Sequence, residues 1–303
     1  MRTEGPLKLL ILDHEPEAKR FFLDILAKVG LTEKRPLKSL LLGVYIMSIL
    51  DSQRWAWKIN SLDSLVKEYW LFVSHVGDID KELDLFANEE YLETAIEDTE
   101  KLVRINDIHR IAFIDTIRLY TDFLLKVPIS PPFSVFTKHL SHFVLNKLSI
   151  TLDEEQYLRK AHFFGRLLVA TKSNADPMTI ARLALLTFPV ADQRQVNFYL
   201  FLLFKALCAW NNIPLRYLHC PIDPTFLRVA KRIGLIRGRR PSMRYGGQMY
   251  NLVQSIAREV FPEDPSKLYT LRYVGEVYCK PRHMLCDECW LFGVCKTYMT
   301  GSP

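Results

Sequence analysis

Four of the six cysteines in this chain, Cys279, Cys286, Cys289 and Cys295, fall within seventeen residues in the pattern C-x6-C-x2-C-x5-C. Thiolates this close in sequence can surround one metal centre without a ligand from a distant part of the chain. The donor set is local, soft and sulfur-only, which favours an iron–sulfur cluster or zinc. Zinc ribbons usually carry two C-x2-C knuckles, and here only Cys286 and Cys289 form one. Disulfides are the remaining use of the four thiols, but they need an oxidising compartment. The apolar run from Leu9 to Leu12 is too short for a signal-peptide core and ends at Asp13. The expected location is intracellular, cytoplasmic or nucleoid-associated, where thiolates persist as metal ligands.

Other residues invite chemistry less strongly. Asp223, followed by Pro224, is either a carboxylate placed for catalysis or a helix N-cap with Pro at the first helical position. Lys205 is the single charge of an apolar stretch from Gln195 to Trp210, so it is either a desolvated amine nucleophile or a side chain that snorkels to the surface. His139 and His142 stand at i, i+3, a spacing that can serve a metal, yet no third ligand is evident nearby and ordinary surface or packing histidines are the simpler reading. Cys208 and Cys220 lie outside the cysteine loop and are expected to be buried thiols.

These residues must be positioned by helices. The 303 residues are 49% hydrophobic and 24% charged, a folded profile, with only 12 glycines and no alternating apolar pattern bounded by hairpin turns. The expected class is all-α. Neither Leu40–Leu50 nor Val196–Trp210 reaches the length of a membrane span, so no membrane partner is expected. The net charge of +6 is unevenly spread. Arg228, Lys231, Arg232, Arg237, Arg239, Arg240 and Arg244 form a run without an acidic residue, whereas Asp78 to Glu100 is strongly acidic. This polarity suggests one face for an anionic partner and a solvated acidic face turned away from it.

Punctuation divides the chain into five segments. Residues 1–36 read as a lead-in helix, from about Pro16 to Val29. A helical lobe with the acidic face covers 37–127, and a helical insertion covers 128–175 after the break at Pro128, Pro131 and Pro132. Residues 176–278 open with Asp176-Pro177 and carry Asp223 and the basic run, and 279–298 form the cysteine loop.

The cysteine spacing resembles the cluster loop of the endonuclease III and adenine glycosylase branch of the helix-hairpin-helix DNA glycosylases, which holds a [4Fe-4S] cluster. Three further stretches are similar to that family. Ile49-Leu50-Asp51-Ser52-Gln53-Arg54 resembles L-L-S-x-Q-x, which implies that Gln53 wedges into the duplex and that Arg54 lies near nucleic acid. Phe188-Pro189-Val190-Ala191-Asp192-Gln193-Arg194 takes the place of the hairpin L-P-G-x-G-x-K, with Val190 and Asp192 at the two glycines that let backbone N–H groups reach a phosphate. Arg194 stands where the family has its lyase Lys and cannot act as an amine nucleophile. The segment from Cys220 to Leu235 resembles V-D-T-H-x-x-R-V-x-x-R-L-G, with Asp223 at the catalytic carboxylate and Pro224-Thr225 in place of Thr-His. It resembles still more closely a bacterial helix-hairpin-helix-like family with no assigned activity.

The resemblance implies a two-lobed helix-hairpin-helix glycosylase-like fold with a C-terminal [4Fe-4S] loop, zinc being the alternative occupant. It implies contact with double-stranded DNA, damaged or intact, through Gln53, Arg54 and Arg194; the basic run adds Arg237, Arg239 and Arg240, the cysteine loop adds Lys280 and Arg282, and a monomer is expected. In an enzyme of this kind Asp223 would stabilise positive charge on the sugar during base excision, without lyase activity, and Lys205 is a weaker catalytic candidate. The alternative is a non-catalytic nucleic-acid-binding protein with a structural cluster, which the altered hairpin and the missing His after Asp223 favour.

Overall fold

The computed structural model describes residues 4–52, 61–97, 107–147, 155–171, 173–211, 213–236 and 247–295. Twelve α-helices and no β-strand occur among the described residues, in accord with the all-α expectation. None of these helices is long and apolar enough to cross a membrane. The chain divides into two compact units, one made of 1–24 with 214–303 and the other of 25–213. Gln53 and Arg54, and likewise Arg237, Arg239 and Arg240, lie outside the described residues.

In the unit 25–213 the central element is α2, Leu37–Ser52, in which every residue from Ser39 to Ser52 is buried. A helix apolar all round has no solvent face to offer, so it must be enclosed by others. It packs against α3 (Leu62–Val76), α5 (Asp107–Lys126) and α9 (Gln193–Phe201). Gly43 is what lets α2 sit this deep: a Cβ there would meet Leu31 Cδ2 at 2.3 Å and the Tyr69 hydroxyl at 2.8 Å. Between α3 and α5 runs the short α4, Glu89–Glu97. Around the rim, α6 (Phe133–Lys147) and α7 (Glu155–Thr171) pack on α8 (Pro177–Leu185).

Helix α8 begins as the sequence predicts, with Asp176 accepting from the Thr179 N–H at 2.9 Å and Pro177 in the first turn. The expected single helix from Gln195 to Trp210 is instead α9 followed by a π-helical turn, Leu202–Ala206, which carries Lys205. Cys208 follows it with a left-handed backbone, φ 49°, and is exposed rather than buried, because the chain turns outward where the helix has ended.

The other unit holds α10 (Pro224–Arg232), α11 (Gln248–Val260) and α12 (Thr270–Val277), together with the first residues of α1, which runs Glu4–Lys28. The proline expected to open α1 lies inside it. The reason is the buried stripe Leu7, Ile11, Ala18, Phe22, which continues on both sides of Pro16 and outweighs one lost backbone bond. Gly275 brings α10 and α12 together, since a Cβ there would stand 2.4 Å from Thr225 Cγ2.

Candidate metal centre

The cysteine loop is shaped by backbone bonds that follow its spacing. Helix α12 ends in a turn in which the Cys279 N–H reaches the Val274 carbonyl at 2.8 Å. The chain then doubles back: Cys279 and Met284 form an isolated antiparallel bridge, and the Leu285 N–H donates to the Tyr278 carbonyl at 2.8 Å. This reversal uses the six residues after Cys279 and brings Cys286 beside it. Cys286 to Cys289 is one tight turn, closed by Cys289 N–H to Cys286 O at 3.1 Å. The last five-residue spacing is a turn plus the 3-10 helix Phe292–Val294, closed by Cys295 N–H to Leu291 O at 2.9 Å.

All four cysteines line one cavity, walled by Val229 of α10 and Ile233 just past its end, Val274 and Tyr278 at the end of α12, and Leu291 and Phe292 of the loop. It holds about 380 Å³ of atom-free space, its mouth included. Among the described residues no group of three or more His, Cys, Asp or Glu side chains is drawn around a single metal ion. Burial, then the neighbouring thiols, push Cys289 up to about 11 and raise Cys286 in the same sense. Four thiolates here therefore call for compensating positive charge.

Part of that charge is supplied by α10. Arg232 donates to Cys279 Sγ at 2.7 Å, and Arg228 donates to the carbonyls of Cys279 at 2.9 Å and Gly275 at 3.0 Å. The two arginines sit one helical turn apart, which is why one face of α10 can serve both the sulfur and the backbone that carries it. Helix α1 braces the other side, where His14 stacks on Trp290 at 4.7 Å between ring centroids, Lys267 pairs with Glu15 at 2.8 Å, and Phe21 packs on Tyr273 at 5.2 Å. Sequence reasoning gave α1 no role, and nothing local in the sequence marks it as a brace.

Asp223 lies in the same unit and is 2% exposed. Its Oδ1 accepts from the N–H groups of Thr225 (2.7 Å) and Phe226 (3.0 Å), as an N-cap does. Its Oδ2 accepts from the Tyr269 hydroxyl at 2.5 Å and stands 3.5 Å from Arg272 Nη1, a guanidinium with no exposed surface. Both oxygens are thus engaged within the fold. Lys205, the second catalytic candidate, belongs to the other unit and is itself engaged.

The hairpin between α8 and α9 is turned inward. Val190 N–H, at a position where the resembling family bonds phosphate, donates to Thr116 Oγ1 at 3.0 Å. Asp192 caps α9 by accepting from the Gln195 N–H at 2.7 Å. The carbonyls of Phe188, Pro189 and Ala191 all accept from the Lys160 ammonium, at 2.6, 2.7 and 2.5 Å. Arg194, expected at nucleic acid, instead closes the C-terminus of α2 through the carbonyls of Asp51 (2.6 Å) and Ser52 (3.3 Å). A cation suits that helix end, where carbonyls lack intrahelical partners. By contrast, Lys280 and Arg282 are exposed on the reversal between Cys279 and Cys286, without an ion pair among the described residues.

No family model, curated protein or solved structure matches this chain.

Proposed function

We propose that this chain is a DNA-binding iron–sulfur protein in which Cys279, Cys286, Cys289 and Cys295 hold a [4Fe-4S] cluster as a scaffold, and that it does not excise bases. The observation that carries the cofactor is the single cavity framed by all four cysteines. One zinc ion draws four sulfurs to about 2.3 Å from one point, whereas a cubane spreads them around a body of several atoms. Such a cluster with four thiolates is anionic, and Arg232 and Arg228 stand where that charge would lie. When bound, the group crosslinks four points of the loop and supplies no open position for a substrate.

Binding follows from what the loop presents. Lys280 and Arg282 project from a segment pinned at both ends by cysteines, so they meet phosphates with little ordering entropy to lose. The absence of excision follows from Asp223, whose two oxygens are committed to backbone, Tyr269 and Arg272. A carboxylate so held anchors α10 to α12 and does not meet a sugar.

Anaerobic purification with iron and sulfide analysis tests the cofactor. About four of each per chain are expected, and one zinc per chain would overturn it. For binding, a Lys280→Ala/Arg282→Ala variant should weaken duplex affinity for every sequence and lower the salt slope by about 2; an unaltered slope assigns the basic pair elsewhere. Release of any base from a panel of damaged duplexes by the purified protein would end the non-excising reading.

A further inference from the structure

Helix α6 carries a surface feature that the cysteine loop does not explain. It buries Phe133, Phe136, Thr137, Leu140 and Val144, and turns Lys138, His139 and His142 outward. The side chains of these three make no hydrogen bond or ion pair among the described residues. A cleft opens on each side of them. One lies between α6 and α8, with apolar walls from Val135, Leu145, Pro177 and Ile180, and holds about 1660 Å³ of atom-free space, its mouth included. The other lies between α5 and α6, with Phe123, Val127 and Phe143, and holds about 680 Å³ on the same measure. His139 and His142 line both clefts and so form the ridge between them.

Among the described residues no acidic side chain lines either cleft. Lys126 and Lys147 flank the Phe143 ring, 5.7 and 5.8 Å from its centroid, and share Asp122 at 2.7 and 3.5 Å. That pairing leaves Lys138 and the two imidazoles as the unmatched donors. A line of donors on a ridge, with an apolar slot on either side, matches a polymer that alternates anionic groups with flat apolar ones.

We propose that this ridge and its clefts bind a single strand of nucleic acid, phosphates against Lys138, His139 and His142 and unstacked bases in the clefts. A duplex keeps its bases stacked inward and cannot fill the slots, whereas a single strand can splay them out. An acidic peptide would satisfy the donors but leave the apolar walls empty. The fifteen-residue helix is about 22 Å long, enough for a few nucleotides. The proposal rests on the nucleic-acid reading above and adds a second surface, in a unit separate from the cysteine loop.

The test is fluorescence anisotropy on the full-length protein, using a labelled single strand of about fifteen nucleotides and the duplex of the same sequence. For Lys138→Ala/His139→Ala/His142→Ala, with far-UV circular dichroism unchanged, single-strand affinity should fall about tenfold or more while duplex affinity stays within about twofold. Equal losses for both ligands, or no loss for the strand, overturn the proposal. Wild-type protein that binds duplex but not the strand overturns this groove alone, and protein that binds neither overturns the nucleic-acid reading itself. Photo-crosslinking of a bromodeoxyuridine strand should label residues 123–127, 133–147 or 173–180; labelling elsewhere overturns the assignment. Displacement of the strand by a poly-glutamate peptide at equal concentration shows that the groove takes acidic polypeptides instead.

Discussion

Asp223 joins two N–H groups at the mouth of α10, the Tyr269 hydroxyl and the guanidinium of Arg272, which itself donates to the Tyr269 hydroxyl at 2.5 Å. Arg272 has no exposed surface, so the charge opposite it cannot be replaced by water. Asp223→Asn keeps the shape and one acceptor but removes that charge, leaving Glu276, 3.4 Å from Arg272 Nε, as the carboxylate nearby. We expect a loss of about 2–4 kcal/mol of stability, somewhat below the cost of breaking an isolated buried pair. It should be read as a lower denaturant midpoint at constant slope. An Asn variant as stable as the parent would show that the carboxylate is not an anchor and reopen its catalytic reading. In sequence the two roles share one signal, Asp before Pro, and only the long-range partners Tyr269 and Arg272 separate them.

Among the elements, the α8–α9 hairpin shows what local sequence can and cannot convey. The cap at Asp176 with Pro177 was legible, because it acts within three residues of itself, whereas Asp192, read as a hairpin position facing phosphate, proves to be the cap of α9. The clamp was not: Lys160 meets carbonyls 28 to 31 residues further on, and no pattern in either segment announces the pairing. Arg194 was misplaced for a similar reason, since its partners lie more than 140 residues earlier. Burial pushes the Lys160 ammonium from 10.5 down to about 7, with Asp192 opposing the shift. The folded chain then gives up this proton near pH 7 while the unfolded chain keeps it to about 10.5. Between these values the unfolded state binds more protons, so this group makes stability rise with pH across that window and contributes no slope below it. Lys160→Met should abolish that slope. At neutral pH it should also cost about 1–3 kcal/mol, because three turn carbonyls lose their donor. Urea midpoints measured from pH 6 to pH 10 on both proteins check it, and parallel profiles would rule out Lys160 as the titrating group.

For the molecule as a whole, the division into 1–24 with 214–303 and 25–213 sets what the cysteine loop can stabilise. The loop has one isolated bridge and a few turn bonds of its own, and apart from Leu291 its residues from Cys279 to Cys295 keep measurable exposure, so it holds little apolar burial to offset its ordering entropy. A metal group bound by four thiolates can make up that deficit, because its binding energy enters folding directly. The cysteine spacing made the gathering of the four thiols legible from sequence, since each interval maps to one local turn and all four line one cavity; the brace from α1 and the contacts of the α10 arginines were hidden because they arrive from far along the chain. Iron removal by oxidation and chelation should therefore expose a protease-sensitive site within 279–295 and lower the melting transition of the unit that contains it. Fragments spanning 25–213 should persist under the same digestion, because none of the residues lining the cavity belongs to that unit. Cys286→Ser, purified without iron, should reproduce both effects. If depleted protein melts and digests as the loaded protein does, the cysteines do not scaffold the loop, and the cavity they frame must serve a ligand that leaves stability untouched.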